Sequence, residues 1–372
     1  MTWHRAAAIV DLDAIVANTE VMTRQAGGAQ VMAVVKADAY GHGVARVAPT
    51  LRDAGVPWLG VALPAEAVAL RQAGDRGRIL AWLWVPGDPL VTACIDLEVD
   101  LGVSSREGLA QISSAVHARG EHARVHLKID TGLSRNGASE REWEALVRAA
   151  LEDPRIELVG VWSHLARADE PEVDTTREQG ERFVRALEVV RALGGAPEYV
   201  HLANSAGILV HPETLHTLVR SGIALYGVTP GPGVGDPAAY GLRPAMEIHA
   251  RLAMVKTIEA GAGVGYGHTW VAERETTVGL VPLGYADGIP RASVGGWVSV
   301  DGDRAPIVGR VAMDQFVIEL PRPVPVGTDV EVLGPGAMDA EQWGATAGTI
   351  GYEVVTRIGA RLPRHYRGDT WT

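Results

Sequence analysis

What most restricts the fold of this 372-residue chain is an alternation. Over the first 220 residues, short apolar and β-branched runs alternate with stretches of helical periodicity, several of them closed by glycine. Strands are predicted at residues 6–12, 31–36, 58–62, 78–84, 99–103, 122–129, 156–163, 199–203 and 217–220. Helices are predicted at 13–25, 44–54, 64–73, 105–119, 140–151 and 175–193. Strands alternating with helices build right-handed βαβ units and a parallel sheet. The repeat count is near eight, which favours a closed barrel over an open doubly wound sheet.

The pattern then breaks. Residues 227–241 read Gly-Val-Thr-Pro-Gly-Pro-Gly-Val-Gly-Asp-Pro-Ala-Ala-Tyr-Gly, a density of proline and glycine that makes a loop or linker. Beyond it, strands are predicted at 246–258, 276–282, 297–300, 305–308, 316–320 and 329–333, with one late helix at 349–358. The expected architecture is therefore α/β: an N-terminal (β/α)8 TIM-type barrel over residues 1–237, then a mainly antiparallel β domain over 238–372. An apolar fraction of 47% can supply a core for both, and a net charge of −11 makes nucleic acid and anionic membrane surfaces poor partners. The single cysteine, Cys94, excludes an internal disulfide and suits a reducing cytoplasm. The start, Met1-Thr2-Trp3-His4-Arg5 and a brief apolar run, is too short for a signal peptide. No apolar stretch approaches membrane-spanning length.

The second predicted strand carries the most informative residues. Val31-Met32-Ala33-Val34-Val35-Lys36-Ala37-Asp38-Ala39-Tyr40-Gly41-His42-Gly43 begins as a buried strand and ends in a lysine, a tyrosine and a Gly-His-Gly turn. Barrel strands feed an active site from their C-terminal ends, where Lys36 stands. A lysine ringed by apolar residues loses solvation, so its pKa falls, and its neutral amine can form a Schiff base with a carbonyl cofactor. The plainer reading is a strand-end lysine reaching out to solvent.

Other strand ends carry polar groups, each with two readings. Lys128 falls on a buried strand, where an unpaired charge is costly. Arg135, on the next loop, has the fork to hold a carboxylate, or to make a surface ion pair. His164 could stack on an aromatic cofactor or serve only the structure. His201-Leu202-Ala203-Asn204-Ser205-Ala206-Gly207 offers a hydroxyl and backbone donors at the opening of a short helix, suited to an anion. Arg220-Ser221-Gly222-Ile223 offers an arginine, then N–H groups beside a glycine. Two further patterns lead nowhere. Gly261-x-Gly263-x-Gly265-x-Gly267 does not match a dinucleotide fingerprint. His122 and His126 share a strand face without an obvious third metal ligand.

In order and spacing, from about residue 6 to residue 366, these strings resemble the pyridoxal-phosphate-dependent alanine racemase family. Val34-Val35-Lys36-Ala37-Asp38-Ala39-Tyr40-Gly41-His42-Gly43 is similar to its cofactor-attachment motif, with Asp38 where Asn is commoner. The resemblance implies that Lys36 carries pyridoxal 5′-phosphate and that Tyr40 binds the phosphate. Lys128-Ile129-Asp130-Thr131-Gly132-Leu133-Ser134-Arg135 resembles the substrate-carboxylate segment, which makes Arg135 the clamp. In many members the lysine matching Lys128 is carbamylated and orients that arginine. The resemblance sets His164 against the cofactor ring, Asn204, Ser205, Gly222 and Ile223 in the phosphate cup, and Arg220 at the pyridine nitrogen. Val264-Gly265-Tyr266-Gly267 resembles Val-Ser-Tyr-Gly, whose tyrosine crosses a dimer interface; Gly265 replaces the serine, and His268-Thr269-Trp270 departs from the pattern. Leu283-Gly284-Tyr285-Ala286-Asp287 implies Tyr285 at the mouth of the site. Val311-Ala312-Met313-Asp314-Gln315 implies the Met313 N–H on the substrate carboxylate, with Asp314 behind it. Ile350-Gly351-Tyr352-Glu353 implies Tyr352 at the phosphate or the mouth. No metal is implied.

Racemisation needs a base on each face of a planar carbon. The resemblance assigns Lys36 to one face and Tyr266 of the partner subunit to the other, in a homodimer with shared sites. A free tyrosine has a pKa of about 10, so it needs hydrogen bonding or nearby positive charge to act near neutrality. Arg220 has its own consequence. Arginine only donates, so the ring nitrogen stays unprotonated, the ring is a weaker electron sink, and reprotonation wins over transamination. The implied activity is interconversion of L- and D-alanine, whose usual duty in the family is peptidoglycan supply. Four rivals remain. One is a broad-specificity or serine-preferring racemase on the same scaffold. A decarboxylase of the same barrel class would pair the ring nitrogen with an acid, so Arg220 argues against it. A cofactor carrier would lack the β domain. A non-catalytic pyridoxal-phosphate-binding homologue is the fourth.

Overall fold

The first strand, β1 (Ala6–Asp11), does not join the barrel that its position in the rhythm predicts. It pairs antiparallel with Met246–Arg251 and parallel with Arg364–Arg367, tying the start of the chain to its end. Which sheet a strand enters is decided by partners far away in sequence, so a local apolar pattern cannot reveal it. Arg5 strengthens this tie with an ion pair of 3.0 Å to the buried Asp287. The structure is a computed structural model and describes residues 4–293 and 295–368. Met1 to Trp3, where the signal-peptide reading begins, lie outside the described residues.

The barrel is made by the next eight strands. These are β2 (Gln30–Val34), β3 (Trp58–Val61), β4 (Arg78–Ala81), β5 (Asp100–Val103), β6 (Ala123–Lys128), β7 (Ile156–Trp162), β8 (Tyr199–His201) and β9 (Leu218–Ser221). All pair in parallel in the order β8-β7-β6-β5-β4-β3-β2-β9. The Arg220 amide donates to Ala203 O at 3.0 Å, bringing β9 back beside the end of β8. The nearly closed TIM-like barrel of the sequence reading is thus present. Its strands read as continuous apolar runs because one face meets the interior and the other the helical shell. The helices begin where caps direct. Asp11 accepts from Ala14 N at 2.8 Å to open Leu12–Gln25, and Glu66 closes a capping box on Pro64–Gln72. A helix at Pro89–Asp96 is absent from the sequence reading. Its signals are Asp88, which accepts from Leu90 N at 2.9 Å, and Pro89 at its first position, but eight residues give too little periodicity to stand out.

The β domain holds β10 (Met246–Arg251), β11 (Met254–Ile258), β12 (Gly263–Val264), β13 (Trp270–Val271), β14 (Thr276–Val281), β15 (Trp297–Val300), β16 (Asp303–Val308), β17 (Phe316–Glu319), β18 (Asp329–Leu333) and β19 (Arg364–Arg367). Nine strands form one sheet in the order β11-β14-β17-β16-β15-β18-β10-β1-β19, antiparallel except where β19 meets β1. Residues 246–258, predicted as one strand, are two. The late helix is Gly351–Thr356, preceded by an unpredicted helix, Ala340–Ala347. A single buried apolar cluster runs through barrel and β domain together, so the domains are packed against each other.

Candidate active site

Lys36 stands just past β2, as the first residue of a helical turn, Lys36–Tyr40. The turn is left-handed: Ala37, Asp38, Ala39 and Tyr40 all have φ of 53° or 54°. Each such residue costs roughly 1–2 kcal/mol, so the surroundings must hold the turn. They do so with hydrogen bonds. Glu66 accepts from Ala37 N at 2.6 Å, and Ala37 O accepts from Gly41 N at 3.0 Å. The Asp38 carboxylate accepts from Val44 N at 2.7 Å, a bond that the oxygen of the commoner Asn would accept as well. Gly41, at φ 80°, passes so close to Val355 O that a Cβ would lie 2.3 Å from it. The turn carries Lys36 into the barrel mouth. Burial, then the positive charge of Arg135, hold its pKa below the ordinary lysine value; Glu66 opposes and Arg220 adds to the lowering.

Arg220 is buried at the end of β9. One terminal nitrogen donates to His201 O and His201 Nδ1, each at 3.0 Å. The other donates to Ser163 O at 2.8 Å and Leu202 O at 2.9 Å, with His164 Nδ1 at 3.3 Å. Four of the five guanidinium hydrogens are thereby used, and only Nε–H has no protein acceptor among the described residues. His164 is half-buried beside it, and burial and Arg220 together push its pKa well down. His164 is therefore a neutral ring.

A third group converges beyond β8 and β9. Ser205 Oγ accepts from Gly222 N at 2.9 Å and from Ala224 N at 3.4 Å. Asn204 caps the six-residue helix Ser205–Val210, accepting from Gly207 N at 2.9 Å. A Cβ at Gly222 would lie 2.6 Å from the Tyr40 hydroxyl, so the glycine leaves room for that hydroxyl beside the Gly222 and Ile223 amides. The Tyr40 ring stands 5.1 Å from Tyr226 and 6.3 Å from Tyr352. Burial raises the pKa of Tyr40 and of Tyr352, so both keep a hydroxyl hydrogen to donate.

Lys128 ends β6 inside the barrel with its ammonium 4.4 Å above the Trp162 ring. It has no carboxylate partner among the described residues. Burial first, then Arg220 and Arg135, lower its pKa to about 8. Trp162 Nε1 beside it is a buried donor with no acceptor among the described residues. Arg135 lies on a loop pinned at its base by Ala138 N to Lys128 O at 2.8 Å and by Asp130 Oδ1, which accepts from Gly132 N and Ser134 N. Lys36, Lys128, Arg135, Arg220 and His164 are thus within electrostatic reach of one another. In a chain of net charge −11, the two lysines and two arginines gathered here mark a place for anionic groups.

Four further candidates, Tyr266, Tyr285, Met313 and Asp314, belong to the β domain. Tyr285 and Met313 are exposed, and their loops are clipped together by Tyr285 N to Ala312 O and Ala286 N to Met313 O. Asp314 is bound by Arg361 at 2.8 Å. Tyr266 is 72% exposed at the tip of the β12–β13 hairpin, and Arg310 lies near the flanking Gly265 and Gly267. The unusual residues after it have structural uses: Trp270 pairs with Val264 and packs on Val278 and Val308, and Gly263 leaves space for the His268 ring. Sequence reasoning missed Glu66, Trp162 and His126 as parts of the site. Glu66 was visible only as a third residue after a helix opening, and the other two as ordinary strand residues.

Comparison with known proteins identifies the family. "Alanine racemase, N-terminal domain" matches residues 10–230, and "Alanine racemase, C-terminal domain" matches residues 245–366. The chain is 48% identical to the alanine racemase of Streptomyces coelicolor, covering 97% of this chain and 96% of that one. It is 44% identical to that of Mycobacterium tuberculosis, with the same two coverages. Among solved structures, the alanine racemase of D-cycloserine-producing Streptomyces lavendulae superposes with a TM-score of 0.97 at 46% identity, over 99% of this chain and 98% of the other. That of Bacillus anthracis with bound L-Ala-P gives 0.90 at 34% identity, over 99% and 96%. With both domains matched and nearly the whole length aligned, the chain belongs to the alanine racemase family.

Proposed function

We propose that this chain interconverts L- and D-alanine with pyridoxal 5′-phosphate as cofactor, as a homodimer whose two sites are shared. The observation that carries the reading is Arg220, whose guanidinium has every hydrogen but Nε–H engaged by protein acceptors, at the end of a site that also holds a depressed lysine. Pyridoxal phosphate suits the residues present. Gly222 leaves a cradle that a Cβ would close, beside the Tyr40 hydroxyl; Ser205 Oγ, which accepts from Gly222 N, keeps its own hydrogen for a phosphate, and Lys36 supplies an amine for an aldehyde.

In this reading Tyr40, Tyr352, Ser205 and the amides of Gly222 and Ile223 would hold the phosphate, with Asn204 fixing the helix that presents Ser205. His164 would lie against the ring, and Arg220 Nε–H would be free to donate to the ring nitrogen. When bound, the cofactor supplies an electron sink that stabilises negative charge at the substrate Cα. Arg135 and the Met313 N–H hold the substrate carboxylate, Asp314 steadies the Met313 loop, and Tyr285 frames the mouth. Lys36 takes or returns a proton on one face of Cα. Tyr266 of the partner subunit does so on the other. The exposure of the large side chains Tyr266, Tyr285, Met313 and Ile350 supports a dimer that covers them. A single buried cysteine and the absence, among the described residues, of any helix long and apolar enough to cross a membrane support work in the cytoplasm.

We propose also that Lys128 is carbamylated. A pKa of about 8 leaves neutral amine to react with CO2, and the carbamate would give Arg135 an anionic partner and Trp162 Nε1 an acceptor. Native mass spectrometry in bicarbonate is expected to show a chain heavier by one CO2, lost on Lys128→Ala. An unchanged mass in bicarbonate removes the assignment.

The activity itself is tested by chiral analysis of purified holoenzyme given L-alanine and, separately, L-serine. Rapid D-alanine with little D-serine is expected. Comparable D-serine would make the chain a broad-specificity racemase, and no D-product from either, with cofactor bound, would make it a non-catalytic homologue.

A further inference from the structure

One buried polar chain is not used by the mechanism above. Asp100, His126 and His201 are 0% exposed, on β5, β6 and β8. They run from the floor of the barrel up to Arg220. Arg220 lies 3.0 Å from His201 Nδ1, His201 Nε2 lies 2.9 Å from His126 Nδ1, and His126 Nε2 lies 3.2 Å from Asp100 Oδ2. At the floor, Arg124 donates to Asp100 Oδ1 at 2.7 Å and Arg78 to Oδ2 at 2.6 Å. The barrel makes room for this chain. Gly160 lies beside His126 in the β6–β7 register, and a Cβ there would fall 2.0 Å from His126 Nδ1. Trp162 stacks on His201 at 5.5 Å, with ring planes 4° apart.

The chemistry of the partners assigns every hydrogen. Burial alone would raise the Asp100 pKa, but the His126 hydrogen bond and the two arginines bring it below the usual value, so the group is a carboxylate and only accepts. His126 must therefore donate from Nε2. Burial keeps both imidazoles neutral, and a neutral ring carries one N–H. His126 Nδ1 is then a lone pair, so His201 donates from Nε2. His201 Nδ1 is in turn a lone pair facing Arg220, which can only donate. A carboxylate at the floor thus dictates, through two rings, which atom meets the arginine.

We propose that Asp100, His126 and His201 are positioning residues that lock the His201 lone pair onto Arg220 and so hold the guanidinium with Nε–H left for the cofactor's ring nitrogen. This rests on the reading of Arg220 given under Proposed function. None of the three touches reacting atoms. Without the lock, His201 can present an N–H to Arg220, and the guanidinium loses an acceptor and shifts. The ring nitrogen then gains a proton more readily, and more of the substrate's amino groups pass to the cofactor carbonyl, releasing pyruvate.

The test compares three holoenzyme variants. His126→Phe removes the link but keeps a ring against Trp58 and Tyr199. Gly160→Ala displaces His126 without deleting any polar group. Arg220→Lys tests the underlying reading. For the first two, kcat is expected to fall on the order of ten-fold or more. The ratio of pyruvate to racemised alanine should rise, while KM and cofactor content stay near wild type. If Arg220→Lys leaves turnover, pyruvate ratio and cofactor spectrum unchanged, the reading of Arg220 itself is wrong. If Arg220→Lys changes them while His126→Phe and Gly160→Ala match wild type, the relay is overturned. Where a variant does not fold, ring ¹⁵N spectra of the wild-type holoenzyme decide. Nε2–H tautomers at both histidines support the relay, and an Nδ1–H tautomer at His201 overturns it.

Discussion

Lys36→Ala is expected to lower alanine racemisation by about a thousand-fold or more, because one side chain serves two steps. In the proposed reading it is both the amine that receives the cofactor's aldehyde and the proton carrier for one face of Cα. The site is built to keep that amine reactive. Burial and Arg135 push its pKa down, and the left-handed turn from Ala37 to Tyr40 fixes where it emerges. The variant should fold, since the turn is held by backbone and by Glu66 and Asp38 and not by the Lys36 ammonium. Steady-state kinetics beside a thermal melt checks this. Wild-type turnover from a folded Lys36→Ala protein would end the proposal.

The second large effect is expected at Tyr266. Tyr266→Phe removes only a hydroxyl from the tip of the β12–β13 hairpin, and Tyr266 is not among the groups proposed to hold the cofactor. Cofactor content should therefore stay near wild type, while racemisation falls by on the order of 10²–10⁴-fold, the usual worth of a positioned acid–base group. The loss should also be one-sided when exchange is followed in place of racemisation. In D2O, D-alanine should still exchange its α-proton through Lys36, whereas exchange from L-alanine should nearly stop. Proton NMR of the α-position reads both. Equal loss from the two enantiomers would show that Tyr266 does not serve one face alone.

Much of this was legible in the chain. The βα rhythm predicted the barrel, and the Pro/Gly-rich stretch at 227–241 preceded the β domain. The motif strings gathered Lys36, Arg220, Ser205, Gly222 and Tyr40, which the fold does bring together. Three of the failures share one cause: long-range pairing. β1 reads locally like a barrel strand, but its partners are β10 and β19, at the far end of the chain. His126 reads as a strand histidine facing nowhere, because Asp100 and His201 reach it only once the barrel closes. Glu66 reads as a helix-opening residue, and its second task at Ala37 N exists only across two strand ends. The short helix at Pro89–Asp96 was missed for a different reason, namely too few residues to show a period.

The most direct test of the shared site is to mix two inactive proteins, Lys36→Ala and Tyr266→Phe, and let their subunits exchange. In a mixed dimer one site carries both substitutions, and the other pairs an intact Lys36 with an intact Tyr266 of the partner subunit. Random exchange of equal amounts makes about half the dimers mixed, so about a quarter of wild-type racemase activity should return. No recovery, with mixed dimers confirmed by mass, would contradict a site built from Lys36 of one chain and Tyr266 of the other.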